Sequence, residues 1–169
     1  MRITRQDASE LQLEDSGLGM VAFGIIFLVA AVACAGMAIN EGKVAAAVIV
    51  LGGFGSAGML ILRRARASVH HFDLQRGILT VETRPALAAD DQDRVAVTYP
   101  LTTLADIVLE ESDGADGGRT HTRMYRPVYR FQDGTRLPLR PNYVNELSGQ
   151  LKIQAAVRAI LPGLVAKRA

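Results

Sequence analysis

The sequence predicts an α+β membrane protein: an N-terminal transmembrane helical hairpin, then a small antiparallel β-sheet or barrel domain with a C-terminal helix. Three observations lead there. Between Gly17 and Leu62 the only charges are Glu41 and Lys43. From Ala67 the apolar stretches give way to short alternating runs separated by turn residues. The last long segment has apolar residues at helical spacing. Overall, 49% of the 169 residues are hydrophobic and 21% charged, close to ordinary globular usage. That average conceals the split. An ordinary soluble globule, a disordered chain and a disulfide scaffold are excluded. A polytopic transporter is excluded too, because too little of the chain is apolar.

The elements follow in order. Residues 1–16 read as an N-terminal cytoplasmic segment. Gly17–Ile39 is a 23-residue uncharged run, about 34 Å long as a helix, against a hydrocarbon core of about 30 Å. Val44–Leu62 is a second such run of 19 residues, about 28 Å long. Lipid offers the backbone no hydrogen bonds, so both runs are expected to be helical. Asn40-Glu41-Gly42-Lys43 suits a tight turn between them, giving a hairpin over 17–62. Asp15 and Ser16 are candidate caps for the first helix. A cleaved signal is the alternative, with Ala31-Val32-Ala33-Cys34 as a loose cleavage box. The acidic Asp7, Glu10, Glu14 and Asp15 argue against it, because a signal needs a positive start and a shorter apolar core. Cys34 is a lone thiol without an internal disulfide partner.

Arg63, Arg64 and Arg66 follow the second run, Arg2 and Arg5 precede the first, and the turn holds only Lys43. Basic residues stay on the cytoplasmic side, which places both termini there. Gly52, Gly53, Gly55, Ser56 and Gly58 make one flank of the second helix small, and Ala31, Cys34, Ala35 and Ala38 do so on the first. Small residues permit close helix packing. These faces pack the two helices on each other, or one of them docks a different membrane protein. The spacing leaves both open.

In residues 63–169, strands are expected at Val69–Gln75, Ile78–Thr83, Arg94–Tyr99, Ile107–Glu111, Thr122–Phe131 and Thr135–Leu139. The turns Arg76-Gly77 and Asp133-Gly134 separate two pairs of them. Pro85–Asp93 and Asp113–Gly118 read as loops. Pro127 within a strand calls for an edge or a bulge. Asn145–Leu161 is the terminal helix, with Pro162-Gly163 after it.

The stretches FDLQRGILTVETR, TYPLTTLADIVLEE and VYRFQDGTRLPLR, with the closing helix, resemble bacterial pleckstrin-homology-like domains over about Ala67–Leu164. Such domains often follow paired transmembrane helices. The resemblance implies a seven-stranded barrel-like sheet capped by a helix, and six strands are legible here. It also implies a place in envelope stress, transport or assembly of photosynthetic complexes, without choosing among them.

No catalytic, cofactor or metal site is legible. His70 and His71 point to opposite faces of a strand, and His121 is remote, so a zinc site has little support. Asp90, Asp91 and Asp93, or Asp113 and Asp116, do not match a calcium loop. No phosphate-binding glycine loop or nucleophile elbow appears. Arg119, Arg123, Arg126, Arg130, Arg136 and Arg140 are dense, and arginine's planar fork suits carboxylate and phosphate. Together with Arg63, Arg64 and Arg66 they are candidate contacts to an anionic surface; the alternative is an exposed strand and turn with scattered cations. After Leu62 the net charge is 16 − 12 = +4, and no nucleic-acid reader motif is visible.

The expected function is therefore a non-enzymatic accessory or assembly subunit of a membrane complex in the bacterial inner membrane. Its partners would be integral membrane proteins and anionic lipid of the cytoplasmic leaflet, not nucleic acid, and no cofactor is expected. The alternative is a free-standing membrane-anchored module that recognises anionic headgroups or a small ligand.

Overall fold

The computed structural model describes residues 1–87, 93–113, 123–140 and 142–166. Strands β1 (Arg2–Gln6) and β2 (Glu10–Asp15) come first, then helices α1 (Leu18–Asn40) and α2 (Val44–Arg64). Strands β3 (Arg66–Asp73), β4 (Ile78–Pro85), β5 (Val95–Pro100), β6 (Leu104–Asp113), β7 (Arg123–Phe131) and β8 (Arg136–Pro138) follow, and helix α3 (Leu147–Ala166) is last. Two compact units result. One holds Met1–Asp15, Ser68–Glu82 and Val95–Ala169; the other holds Ser16–Ala67 and Thr83–Arg94. Asp90, Asp91, Asp116, Arg119, His121 and Pro141 lie outside the described residues.

The first unit is an α+β core. Its strands belong to a five-stranded sheet, β1-β2-β3-β4-β5, and a three-stranded sheet, β6-β7-β8. Alternation along each strand sends every second side chain to one face. Leu11, Leu13, Phe72 and Leu79 from the first sheet meet Ile107, Tyr129 and Phe131 from the second. Ile153, Ala156 and Val157, at one-turn spacing on α3, join the same cluster. Each such leucine buried stabilises the fold by about 1.5–3 kcal/mol.

The N-terminal segment departs from the sequence reading. Residues 1–16 hold two strands that the sequence reading did not identify: β1 and β2 are antiparallel neighbours, and β2 pairs directly with β3. Leu11 lies opposite Phe72 and Leu13 opposite His70. The Asp7 carboxylate accepts the Ser9 N–H at 2.8 Å and closes the turn between β1 and β2. Asp15 is consequently not a helix cap. It ends β2 and binds the Arg140 guanidinium at 3.2 Å. Gly17 takes the N-cap position of α1 instead, at φ 64°, a conformation that glycine adopts without strain.

Other boundaries moved less. Gly77 (φ 67°) and Gly134 (φ 85°) occupy the two expected hairpin turns, and Asp73 and Asp133 bind backbone N–H groups beside them. Pro127 is within β7, the central strand of its sheet, rather than at an edge. On the β8 side the ladder spans Val128–Arg130, and one further bridge joins Tyr125 to Val144. Pro127 lies opposite Leu139, whose N–H donates to the Pro127 carbonyl at 3.0 Å; the Leu139 carbonyl, which proline cannot serve, takes the His70 Nε2–H instead. Helix α3 runs past Pro162-Gly163 to Ala166, because proline removes one hydrogen bond yet keeps a helical φ.

The second unit is built on the two apolar helices. Each is long and apolar enough to cross a membrane, and only 22% and 11% of their most apolar stretches are buried. Gly42 (φ 73°) reverses the chain, with the Lys43 N–H donating to the Ala38 carbonyl at 2.8 Å. Residues Leu51–Gly55 of α2 form a π-helical turn. Close approach of the helices occurs elsewhere, at Gly24 and Gly58. A Cβ on Gly24 would stand 2.7 Å from the Leu62 side chain, and one on Gly58 would stand 3.0 Å from Leu28. Ala31, Ala35 and Ala47 are buried in the same seam.

Candidate functional site

The residues that the sequence singled out fall in several separate places. The first is the small face of α2. Its five residues divide between two uses. Gly58 is buried against α1. Gly52, Gly53 and Ser56 are exposed and Gly55 is half-exposed. Added Cβ atoms at Gly52, Gly53 and Gly55 would meet nothing within 4 Å. The Ser56 hydroxyl donates to the Gly53 carbonyl at 2.9 Å, pairing a backbone group at the π turn. Leu51, Phe54 and Met59 are exposed around these residues. On α1, Ala31 and Ala35 are buried, Ala38 is half-buried and Cys34 is exposed. Self-packing of the hairpin thus uses Gly24, Ala31, Ala35 and Gly58, and leaves the Gly52–Ser56 surface open.

The second place is the arginine-rich strand β7. Its cations face a row of carboxylates on β6. Cross-strand register sets Arg130 opposite Asp106 and Arg126 opposite Glu110. Arg126 binds Glu110 at 2.7 Å and lies over the Tyr143 ring, 4.4 Å from its centroid. Arg136 reaches the same carboxylate at 3.4 Å, and the Tyr143 hydroxyl donates to it at 3.3 Å. These contacts, Arg126 foremost, hold the Glu110 carboxyl below the usual range. Arg123 approaches Glu111 at 4.0 Å, and Arg140 binds Asp15. Arg158 on α3 grips Asp106 with two hydrogen bonds of 2.9 Å, which lowers that carboxyl as well. The acids of β6, read against β7 in antiparallel register, were the available signal for this pairing.

Arg63, Arg64 and Arg66 differ. All three are exposed, as is Arg84 near the end of β4. None of these four makes an ion pair among the described residues.

The third place is His70, which the sequence marked only as a strand histidine. It is 1% exposed. Its Nε2–H donates to the Leu139 carbonyl at 3.0 Å, because a carbonyl can only accept. Nδ1 is then the acceptor, and the Tyr129 hydroxyl donates to it at 3.2 Å. Burial pushes the imidazole down to about 4 and raises the Tyr129 phenol well above its ordinary value. Both groups are neutral at pH 7 and mutually satisfied, an arrangement that packs a core. His71, the neighbour on the opposite face, binds Glu10 at 2.8 Å. Among the described residues, no three His, Cys, Asp or Glu side chains are grouped to hold a metal ion.

No protein-family model and no curated protein matches the chain.

Proposed function

We propose that the chain is a non-catalytic, membrane-anchored accessory or assembly subunit of a larger membrane protein complex. In this reading α1 and α2 span the bacterial inner membrane as a hairpin. As helices they measure about 34 and 31 Å, a match to a hydrocarbon core of about 30 Å. Arg63, Arg64 and Arg66 at the end of α2 favour a cytoplasmic location for both termini. The exposed valines, isoleucines and phenylalanines of both helices support lipid or protein as their surroundings.

One observation carries the docking role. The hairpin satisfies its own packing at Gly24 and Gly58 and leaves Gly52, Gly53 and Ser56 as a small, open face. In lipid such a face gains little from hydrocarbon chains and much from a closely approaching helix. Beyond the helices, two antiparallel sheets and a terminal helix around one core support the pleckstrin-homology-like reading. The departure is that β1 and β2 precede the hairpin, which is inserted between the second and third strands. Edge strand β5 exposes Val95 (60%) and Val97 (43%), a second surface for a partner.

Purification in mild detergent followed by mass spectrometry tests this reading. Gly53→Leu with Ser56→Leu is expected to abolish recovery of the co-purifying membrane protein while the chain stays in the membrane fraction. Undiminished recovery overturns the docking face.

A further inference from the structure

We propose that Arg63, Arg64, Arg66 and Arg84 form a binding site for the phosphate of an anionic phospholipid at the end of α2. Arg63 and Arg64 lie in the last turn of α2, and Arg66 opens β3. Arg84 lies eighteen residues further along the chain than Arg66. The fold brings it back, because the Ala86 N–H donates to the Ala65 carbonyl at 2.9 Å. All four arginines are therefore within two residues of one backbone hydrogen bond. Gly17 fixes the same spot from a third direction. A Cβ there would come within 2.4 Å of the Arg66 carbonyl oxygen and 3.1 Å of the Ala86 side chain.

The electrostatics separate this cluster from the arginines of β7. Those face carboxylates across the sheet, so their charge is already met. The four arginines beside Ala65 and Ala86 are exposed and hold no carboxylate among the described residues. Guanidinium groups bind phosphate oxygens through paired, charge-assisted N–H donors. A phospholipid is the favoured source because Arg63 and Arg64 end the apolar helix α2 and Arg66 follows two residues later, at the level where headgroup phosphates lie. The sequence alone places Arg63, Arg64 and Arg66 there; the structure adds Arg84 and relieves the β7 arginines of this role.

The inference rests on membrane insertion of the hairpin, so the test reads insertion and lipid choice separately. The full chain is reconstituted into vesicles of phosphatidylcholine alone or mixed with phosphatidylglycerol. Carbonate extraction reports insertion, and native mass spectrometry after detergent transfer reports retained lipid. We expect carbonate resistance in both vesicles and selective retention of phosphatidylglycerol. At about fivefold per arginine near an anionic surface, Arg84→Gln should lower retention about threefold to fivefold. The combined R63Q/R64Q/R66Q/R84Q variant should lower it more than tenfold. Extraction from both vesicles would remove the membrane reading and this inference with it. Insertion without lipid preference, or an Arg84→Gln variant that retains lipid normally, would overturn the site alone. An equal loss in Arg123→Gln with Arg130→Gln would move the site to β7 and overturn the assignment. Displacement of the lipid by free glycerol 3-phosphate would make it a soluble-phosphate site and overturn the lipid assignment.

Discussion

The β-sheet unit and the helical unit use the same residue types in opposite ways. In the sheet unit, leucines and aromatic residues go inside, and the β7 arginines find acids on the next strand. In the helical unit, Phe23, Ile26, Val32, Ile49 and Phe54 stay more than half exposed, and Arg63, Arg64, Arg66 and Arg84 make no ion pair among the described residues. The first unit buries a core and pairs most of the β7 charge, although Val95 and Val97 of β5 stay exposed. The second leaves much of its apolar and cationic surface exposed. A count of arginines does not reveal that distinction; their pairing does.

The two units should differ most in what a truncated apolar side chain costs. Leu13→Ala should cost about 2–5 kcal/mol, because a fully buried leucine leaves a cavity. Val32→Ala, at a side chain 65% exposed, should shift stability by less than about 0.5 kcal/mol. Chemical denaturation of the full chain in detergent micelles measures both. Similar costs would erase the contrast between the units.

The next effect is pH dependence. His70 falls to about 4 in the folded chain, from 6.5. Between those values the unfolded chain binds more protons. Stability is therefore fully present above pH 6.5 and is lost as pH falls toward 4. By pH 5 the loss should reach about 2 kcal/mol relative to pH 7. His70→Asn should flatten that part of the profile, and a wild-type denaturation midpoint that does not move between pH 7 and 5 would contradict the burial argument. The smallest effect is at the charge ladder. Glu110→Gln should cost about 1 kcal/mol, since Arg126 and Arg136 lose a partly screened partner. Thermal melts of the two proteins side by side would detect it.

The helices, their turn, the two glycine hairpins and the terminal helix were legible because each has a local signal: an uncharged run, a glycine-containing turn pair such as Asp133-Gly134, or a helical period. The two N-terminal strands were not. Leu11-Gln12-Leu13-Glu14 does alternate, but the run is short, and its partner Phe72 lies beyond both helices. The pairing of the β7 arginines was hidden for a related reason. Strand parity shows which side chains share a face, whereas their charge balance depends on a neighbouring strand and its register. Glu110 supplies that balance for Arg126 and Arg136 at once. On α2, composition identified the small residues, but only the helix contact separates Gly58 from Gly53.

The pairing of β2 with β3 also sets an order of events during synthesis. The ribosome releases β2 before either helix and β3 only after both. Leu13 must wait, without its neighbour His70, while everything from Ser16 to Ala67 is made. Closing so long a loop is entropically costly and slow compared with forming a local turn. A nascent chain that stalls within the hairpin therefore carries an open sheet edge, and that edge would mark it as unfinished to any factor that binds exposed strands.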